Sequence, residues 1–570
     1  MRCLLIIMKK NKIRNKSLIN LVIILVAIIF INLISTKLFF RIDLTKEKRY
    51  TLSPITRSFL KNLNEEVWVK VYLTGELNVG FRKLSKAVCE MLDELRLTSG
   101  KKIYYELVDP LENSADQDNL KEFGLYPVPV FESTADGRKI QSRVYPFAIF
   151  QMGEYDIAIN LLENLPGLSG SENLNVSMEA LEYKMTDAIR RLQTDEVTAI
   201  AFLEGHGELD ELDVMDITDA LSQYYQIDRG ALADDPSVLD PYKAIIIAKP
   251  QEAFSQLDKF IIDQYIMRGG SVLWMIDVIN VTLDTLRRTT QTIGMMQDVN
   301  LSDQLFRYGI RINPVLDQDI NSALIPINAA RQGEQPQIVS VPWLFSPLLN
   351  TAMNHAVTRN LNVVKSEFAG SIDTVGTMQN ITRDVLLQTG RNSRELQTPV
   401  YISLAQVNDK LYREDFRKSS LPVAVSLEGI FQSAFTNRPI PPGVKINVSD
   451  IRYISEPAKM IVVADGDIIR NEVRFRHSGS PQVIPLGFDE MSNQTFGNKQ
   501  FILNAINYLT DDVGWMDLRN RYFELRLLDK EKLSRELGYW KTMNMALPII
   551  LIILFGIIVP LWRKRLYGKI

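Results

Sequence analysis

Val197-Thr198-Ala199-Ile200-Ala201-Phe202-Leu203, followed at once by Glu204-Gly205-His206-Gly207-Glu208, is the stretch on which the fold turns. A short, largely apolar run that ends in a glycine-bearing polar loop suits a central strand. The helical pattern that continues through Leu221-Ser222-Gln223-Tyr224 makes it the start of an α/β unit. Ala244-Ile245-Ile246-Ile247-Ala248 reads as the next strand, Ser255 to Met267 as the next helix, and Ser271-Val272-Leu273-Trp274-Met275-Ile276-Asp277 as the strand after it. Arg268-Gly269-Gly270 between them is a helix stop, because glycine enters the left-handed region without steric cost. Further strands are expected at Leu421 to Ser426 and at Lys459 to Ala464, which leads into Asp465-Gly466-Asp467. A last helix, Gln500 to Leu509, closes the layer.

Upstream, Val67 to Leu73 alternates β-branched and aromatic residues, Phe81 to Leu97 repeats apolar residues at helical spacing, and Ile103 to Val108 reads as a strand ended by Asp109-Pro110. This β-α-β unit suits a thioredoxin-like layer. The loop Thr74 to Phe81, where a redox cysteine pair would lie, contains no cysteine. Cys89 falls inside the helix and reads as a small buried residue. Residues 282–415 are mixed and polar with poor periodicity, and are expected to form an insertion or a smaller subdomain.

Two apolar segments stand at opposite ends, Leu18 to Ile34 and Ala546 to Trp562, each long enough to cross a hydrocarbon core of about 30 Å as a helix. Arg2, Lys9, Lys10, Lys12, Arg14 and Lys16 flank the first; Arg563, Lys564, Arg565 and Lys569 flank the second. By the positive-inside rule both tails are cytoplasmic and Lys37 to Met545 lies across the membrane. Ser35-Thr36-Lys37-Leu38-Phe39-Phe40 offers no small-residue cleavage site, so the first segment reads as an uncleaved anchor rather than a signal peptide. Of 65 basic and 68 acidic residues, removing those ten leaves 55 against 68, a net of −13 for the remainder. An acidic surface of that kind argues against nucleic acid and anionic lipid as partners of the exported region. The two cysteines, Cys3 and Cys89, fall on opposite sides of the membrane, so no disulfide staples the exported region.

The sharpest chemical candidate is Glu204-Gly205-His206-Gly207-Glu208, at a strand end where open parallel sheets bind ligands. Gly205 and Gly207 match the first two positions of G-x-G-x-x-G, but Asp210 takes the third. Glu204, Glu208, Asp210, Glu211 and Asp213 crowd a helix start that a pyrophosphate needs positive. His206 with Glu204 and Glu208 is a chemically possible zinc or manganese set. The preferred reading is a polar strand-end loop whose carboxylates favour the helix N-terminus, with His206 lacking a buried partner. If the loop meets a ligand, Glu204, Gly205, His206, Gly207 and Glu208 are the residues that meet it; no catalytic residue, metal site or cofactor is expected. The chain has no P-loop, no G-x-S-x-G, no H-E-x-x-H and no C-x-x-C. Asn20 and Asn32 in the first apolar segment, with Asn544 and Gly556 in or beside the second, are candidate contacts to a membrane partner. Pro548 is expected in the first turn of the second helix, where a missing N–H costs nothing.

Arg41-Ile42-Asp43-Leu44-Thr45-Lys46-Glu47-Lys48-Arg49-Tyr50-Thr51-Leu52-Ser53, Phe202 to Glu208, Arg268 to Asp277 and the terminal anchor with its basic tail together resemble the GldG family of gliding-motility proteins of Bacteroidetes. The middle of the chain is similar to the GIFT-type α/β domain of intraflagellar-transport proteins, itself akin to class I glutamine amidotransferases. No cysteine lies in that region, so no amidotransferase activity carries over. The fold class expected is α/β, with two membrane-anchoring helices flanking extracytoplasmic α/β domains, one thioredoxin-like and one a GIFT-like parallel sheet. The expected boundaries are a basic tail (1–17), a transmembrane helix (18–36), the thioredoxin-like domain (37–190), the GIFT-like domain (195–512) with its insertion (282–415), an amphipathic juxtamembrane segment (513–544), a second transmembrane helix (545–562) and a basic tail (563–570). The resemblance implies a non-catalytic, substrate-binding auxiliary subunit in the bacterial inner membrane. Its partners would be the lipid bilayer, a separate cytoplasmic ABC ATPase and a polytopic permease. The competing expectations are a membrane-tethered metal-dependent hydrolase centred on His206 and a passive envelope scaffold.

Overall fold

The computed structural model describes residues 21–26, 28–30, 51–520 and 535–567, apart from 113, 134–138, 164, 166–167, 194–196, 329–334, 336, 377–379, 409, 411 and 476–480. Asn20, Asn32, residues 41–50, Lys569 and 521–534 of the segment read as amphipathic lie outside the described residues. The chain forms two compact units, Tyr50–Arg521 and a second made of Met1–Arg49 with Tyr522–Ile570.

The larger unit begins with α1 (Pro54–Lys61), whose N-cap Ser53 accepts from the Thr56 amide at 3.0 Å. The Glu182 carboxylate accepts from the Ser53 amide at 2.7 Å and from Thr56 Oγ1 at 2.8 Å, tying the chain's entry to a distant helix. Then follow β1 (Val67–Val71), α2 (Val79–Thr98), β2 (Ile103–Leu107) and α3 (Ser114–Glu122). A hairpin, Val128–Ser133 with Lys139–Val144, precedes β3 (Phe147–Met152), β4 (Tyr155–Asn160) and α4 (Gly170–Gln193), the helix that carries Glu182. The sheet runs β2-β1-β3-β4, with β1 parallel to β2 and β3 antiparallel to both β1 and β4. Alternation in β1 sends Val67, Val69 and Val71 onto Leu84, Val88 and Leu92 of α2 and Leu181 and Met185 of α4. Each such side chain contributes about 1.5–3 kcal/mol on full burial. Cys89 on α2 is half-buried; burial, then Asp93 and Glu90, push its thiol up, away from the reactive thiolate.

The main sheet begins at β5 (Ala199–Glu204), followed by α5 (Met215–Ser222), β6 (Gln226–Ala231), β7 (Ala244–Ala248), α6 (Gln256–Met267) and β8 (Ser271–Met275). It continues through β9 (Ser322–Asn328), β10 (Ile338–Thr351), β11 (Ile381–Gln388), β12 (Pro422–Gly429) and β13 (Ala458–Val463), and α7 (Asn498–Leu509) packs behind it. Strand order is β9-β10-β11-β12-β13-β8-β7-β5-β6, with Val364–Lys365 added to β10. From β13 to β6 neighbours are parallel; from β9 to β13 they are antiparallel. The parallel strands are apolar at nearly every position because both faces are covered. Phe202, Ile246, Leu273 and Ile461 face α5 and α7, while Leu203, Ile247, Trp274 and Val462 face α6. Residues 282–415, expected as an insertion or subdomain, supply β9, β10 and β11 to this same sheet. The helix stop is observed: α6 ends at Met267, Gly269 has φ +93°, and the Tyr265 ring lies where a Cβ on Gly270 would stand.

Residues 513–520, expected to be juxtamembrane, belong to this unit instead: Trp515, Met516 and Leu518 are buried, and Trp515 meets Phe59 of α1 edge-on at 5.1 Å. In the second unit, 21–26 and 28–30 are helical and exposed. There α8 (Leu537–Tyr567) is, among the described residues, the one helix long and apolar enough to cross a membrane, with no part of its apolar window buried. The placing of Pro548 in a first turn is overturned. The helix starts at Leu537, so Pro548 and Pro560 lie inside it, as membrane helices tolerate.

Candidate functional site

The loop after β5 is closed on itself. Glu204 turns to Arg229 on β6, its Oε1 accepting from Nε at 2.7 Å, and the Arg229 guanidinium lies 5.0 Å from the Phe202 ring centroid. Glu208 folds back onto His206, accepting from its amide at 2.7 Å and meeting Nδ1 at 3.1 Å. The other ring nitrogen, Nε2, lies 3.3 Å from Asp258 Oδ2, and the imidazole stacks on Phe254 with centroids 3.6 Å apart. Asp258 is the third residue of α6 and, with Ser255, forms its capping box. Burial works against a charged ring here, yet the bonds from Asp258 and Glu208 outweigh it and push the His206 pKa up to about 9. The expectation of a loop histidine without a buried partner is therefore corrected: His206 is 7 % exposed and clamps the loop to the start of α6. A metal at His206 would have to displace one of these carboxylates from the ring.

With β5 as first strand, the parallel order is 2-1-3-4-5, and the switch point between β5 and β7 is where ligands enter such sheets. This crevice is stitched shut. The amides of Gln251 and Glu252 both donate to the His206 carbonyl at 2.8 Å, and the Leu209 amide donates to Ala248 O at 3.0 Å. Gly205 and Gly207 have φ +113° and +71°, and a Cβ on Gly207 would come within 3.1 Å of Gln251 Cβ.

Further along the same edge lies a buried ionic cluster that reading the sequence did not single out. Lys249 follows β7 with φ +55°, unusual for a residue other than glycine. Its Nζ lies 3.0 Å from Asp277 Oδ2, after β8, and 2.5 Å from Asp467 Oδ2, after β13. Asp277 also accepts from the Gly466 amide, and Asp465 accepts from the amides of Asp467 at 2.8 Å and Glu367 at 2.9 Å. Gly466 is required by close approach, for a Cβ there would lie 2.5 Å from Lys249 Cβ. Burial opposes the lysine charge, but Asp277 and Asp467 outweigh it and hold Lys249 above the ordinary lysine range. Burial, then Asp277 and Asp467, pushes Asp465 well above the carboxylate range. Arg470 at the rim bonds Asp213 at 3.0 Å and Asp284 at 3.2 Å. A lysine held as an ammonium by two carboxylates is not a nucleophile. The sequence signal was present: Lys249 directly follows a strand, and Asp277, Asp465 and Asp467 come within four residues of strand ends.

A cavity of about 230 Å³ lies at the opposite edge, lined by Tyr183, Arg191, Thr198, Tyr224, Asn507 and Trp515 among others. Arg191 sits 4.5 Å from the Tyr224 ring centroid and pairs with Asp187. None of Glu204 to Glu208 lines it. On α8, Asn544 is exposed and Gly556 has nothing within 4 Å of a built Cβ.

A domain of unknown function matches residues 46–151. No curated protein matches the chain. Among solved structures the chain is similar to an mmIFT52 N-terminal domain, at 14 % identity over 55 % of this chain and 99 % of that one, with a TM-score of 0.30. It is also similar to the exo-beta-1,4-mannosidase Op5Man5 from Opitutaceae bacterium strain TAV5, at 11 % identity over 73 % of this chain and about half, 51 %, of that one, with a TM-score of 0.19. Scores this low carry no argument about this chain. The family model described as an ABC-type uncharacterized transport system matches residues 198–505, more than half of the chain, taking in the parallel strands, the closed loop and the ionic cluster. The chain belongs to this ABC-type transport-system auxiliary family.

Proposed function

We propose that the chain is a non-catalytic auxiliary subunit of an ABC-transporter-like complex of the gliding-motility kind. In this reading two helices anchor it in a bacterial inner membrane with both termini cytoplasmic, and its α/β region binds cargo or an envelope partner outside. The observation that carries the reading is the family match over the sheet, and the strand-end edge of that sheet supports it: backbone bonds close the β5/β7 switch point, and Lys249, Asp277 and Asp467 beside it are taken up in ion pairs with one another. Supporting the membrane arrangement, α8 places Tyr539 and Trp540 near one end and Arg563, Lys564 and Arg565 near the other, the aromatic and basic order of a helix with a cytoplasmic C-terminus. The order β2-β1-β3-β4, with its parallel first pair and antiparallel second half, supports the thioredoxin-like reading of the N-terminal region. The 2-1-3-4-5 order supports the GIFT-like one. Asn20, Asn32, Asn544 and Gly556 are the proposed helix contacts to the permease, and Glu204 to Glu208 the proposed ligand loop. The test replaces both anchors with unrelated apolar helices of equal length and measures recovery of the ATPase and permease on purification from membranes. Loss of both, with the α/β region still exported and folded, is expected; recovery at normal yield would refute docking through the helices.

A further inference from the structure

The outer face of the N-terminal sheet is covered at one end and bare at the other. Tyr72, Phe147 and Ile149 lie beneath Leu120 and Tyr145, whereas the next cross-strand row, Tyr104, Trp68, Gln151 and Asp156, carries no such cover. Trp68 stacks on Tyr104 with centroids 4.7 Å apart and an interplanar angle of 19°, and it is still 55 % exposed. Tyr104 also holds a cation of the chain itself, the Arg96 guanidinium 5.6 Å from its ring centroid. Beside Trp68 opens a cleft lined by Asn64, Glu65, Glu66, Trp68, Gln151 and Gly153. Gly153 leaves it clear, for a Cβ there would meet nothing within 4 Å. Glu65, Glu66 and Asp156 have no ion-pair partner among the described residues. An exposed indole beside unpaired carboxylates is the arrangement that attracts an ammonium or guanidinium group, through the negative ring face and through charge.

We infer that the Trp68 cleft is a docking surface for a basic segment of a partner protein, seating a lysine or arginine side chain against the indole with Glu65 and Glu66 facing its charge. Charge decides the occupant: the cleft is lined by Glu65 and Glu66 and by no basic residue, and the nearby Lys102 ammonium is turned to the Leu63 and Asn64 carbonyls. The inference does not depend on the transporter reading, because it rests on this sheet face alone.

The test uses the full chain in detergent and a fluorescein-labelled six-residue lysine peptide, followed by anisotropy, with Trp68→Leu, Trp68→Phe and Glu65→Gln/Glu66→Gln variants. Trp68→Leu is expected to weaken binding roughly 2- to 30-fold, the span of about 0.5–2 kcal/mol for a cation on an aromatic face. Trp68→Phe should recover part of the loss, and the double Gln variant should weaken binding and flatten its salt dependence. Circular dichroism of each variant, expected to match the parent since these side chains are exposed, separates lost binding from lost fold. Peptide binding that all variants retain would overturn the inference, as would displacement of the peptide by neutral cellohexaose or by phosphatidylcholine vesicles in a Trp68-dependent manner.

Discussion

Replacing His206 with alanine should destabilise the larger unit by an amount that depends on pH in a calculable way. The ring pKa is about 9 in the folded chain against an ordinary 6.5. That difference is worth roughly 3 kcal/mol at 1.36 kcal/mol per pH unit. It is an upper bound, because Asp258, the larger of the two raising partners, is partly open to solvent and its share is screened. Because the folded value lies above the unfolded one, the folded chain holds more proton between the two, and stability falls as pH rises. The stabilisation is complete below about pH 6.5 and gone above about pH 9. The partner Asp258 is held below the ordinary range, so its share disappears only at acid pH and leaves this window undisturbed. Urea unfolding of the full chain and of His206→Ala in detergent, read by tryptophan fluorescence at pH 6, 7.5 and 9.5, measures the difference. It should be largest at pH 6 and shrink toward a residue due to the lost Phe254 stack at pH 9.5. A gap between the two proteins that stays constant across those pH values would show that the imidazole is neutral when buried, and the clamp would then be packing alone.

Lys249→Met should cost about 3–5 kcal/mol, since it strands Asp277 and Asp467 without their cation; adding Asp467→Asn should return part of it. Unchanged unfolding of the single variant would mean that the cluster is not ionised. Gly270→Ala should lower the thermal midpoint by the equivalent of about 1–3 kcal/mol, because its Cβ would sit 2.3 Å from Tyr265 Cζ in a packed core; a midpoint equal to the parent's would show that the ring yields freely.

Most of the parallel half of the main sheet was legible because local pattern alone specifies it; the exception is the polar, half-exposed edge strand Gln226–Ala231, which lacks an apolar run. Ala199–Glu204, Ala244–Ala248 and Ser271–Met275 are apolar runs bounded by turn chemistry, and Gly269-Gly270 marks the helix end between the last two. Of the purely antiparallel strands only Pro422–Gly429 was legible. Ile338–Thr351 is fourteen residues long with Pro342 and Pro347 inside it, and its partners Ser322–Asn328 and Ile381–Gln388 lie on either side in sequence, the first meeting it across a register shift between Ser322 and Leu324. Prolines are admitted there only where a ladder bond is not needed, and nothing local announces which positions those are. The site shows the same division. Acids after strands were visible at Asp277 and at Asp465-Gly466-Asp467, but Lys249 and Asp467 are 218 positions apart, and only the strand order brings them together. His206 was visible and misjudged, because its decisive partner Asp258 lies 52 residues on, within the capping box of another helix.

The buried cluster also bears on why the edge is closed with charges rather than with apolar side chains. A buried ion pair is a poor source of stability, since desolvation consumes most of the Coulombic gain, and a well-packed hydrophobic substitute often does as well. What Lys249 does that a leucine cannot is bond two strand ends at once. Its ammonium spans Asp277 after β8 and Asp467 after β13, while Asp277 in turn takes the Gly466 amide. The three loops at β7, β8 and β13 are thus fixed in one register at the junction where the parallel strands give way to the antiparallel ones, since β13 is the strand that pairs both ways. A sheet joined at that point by directional bonds resists shear between its two halves, which a leucine in place of Lys249 would not provide.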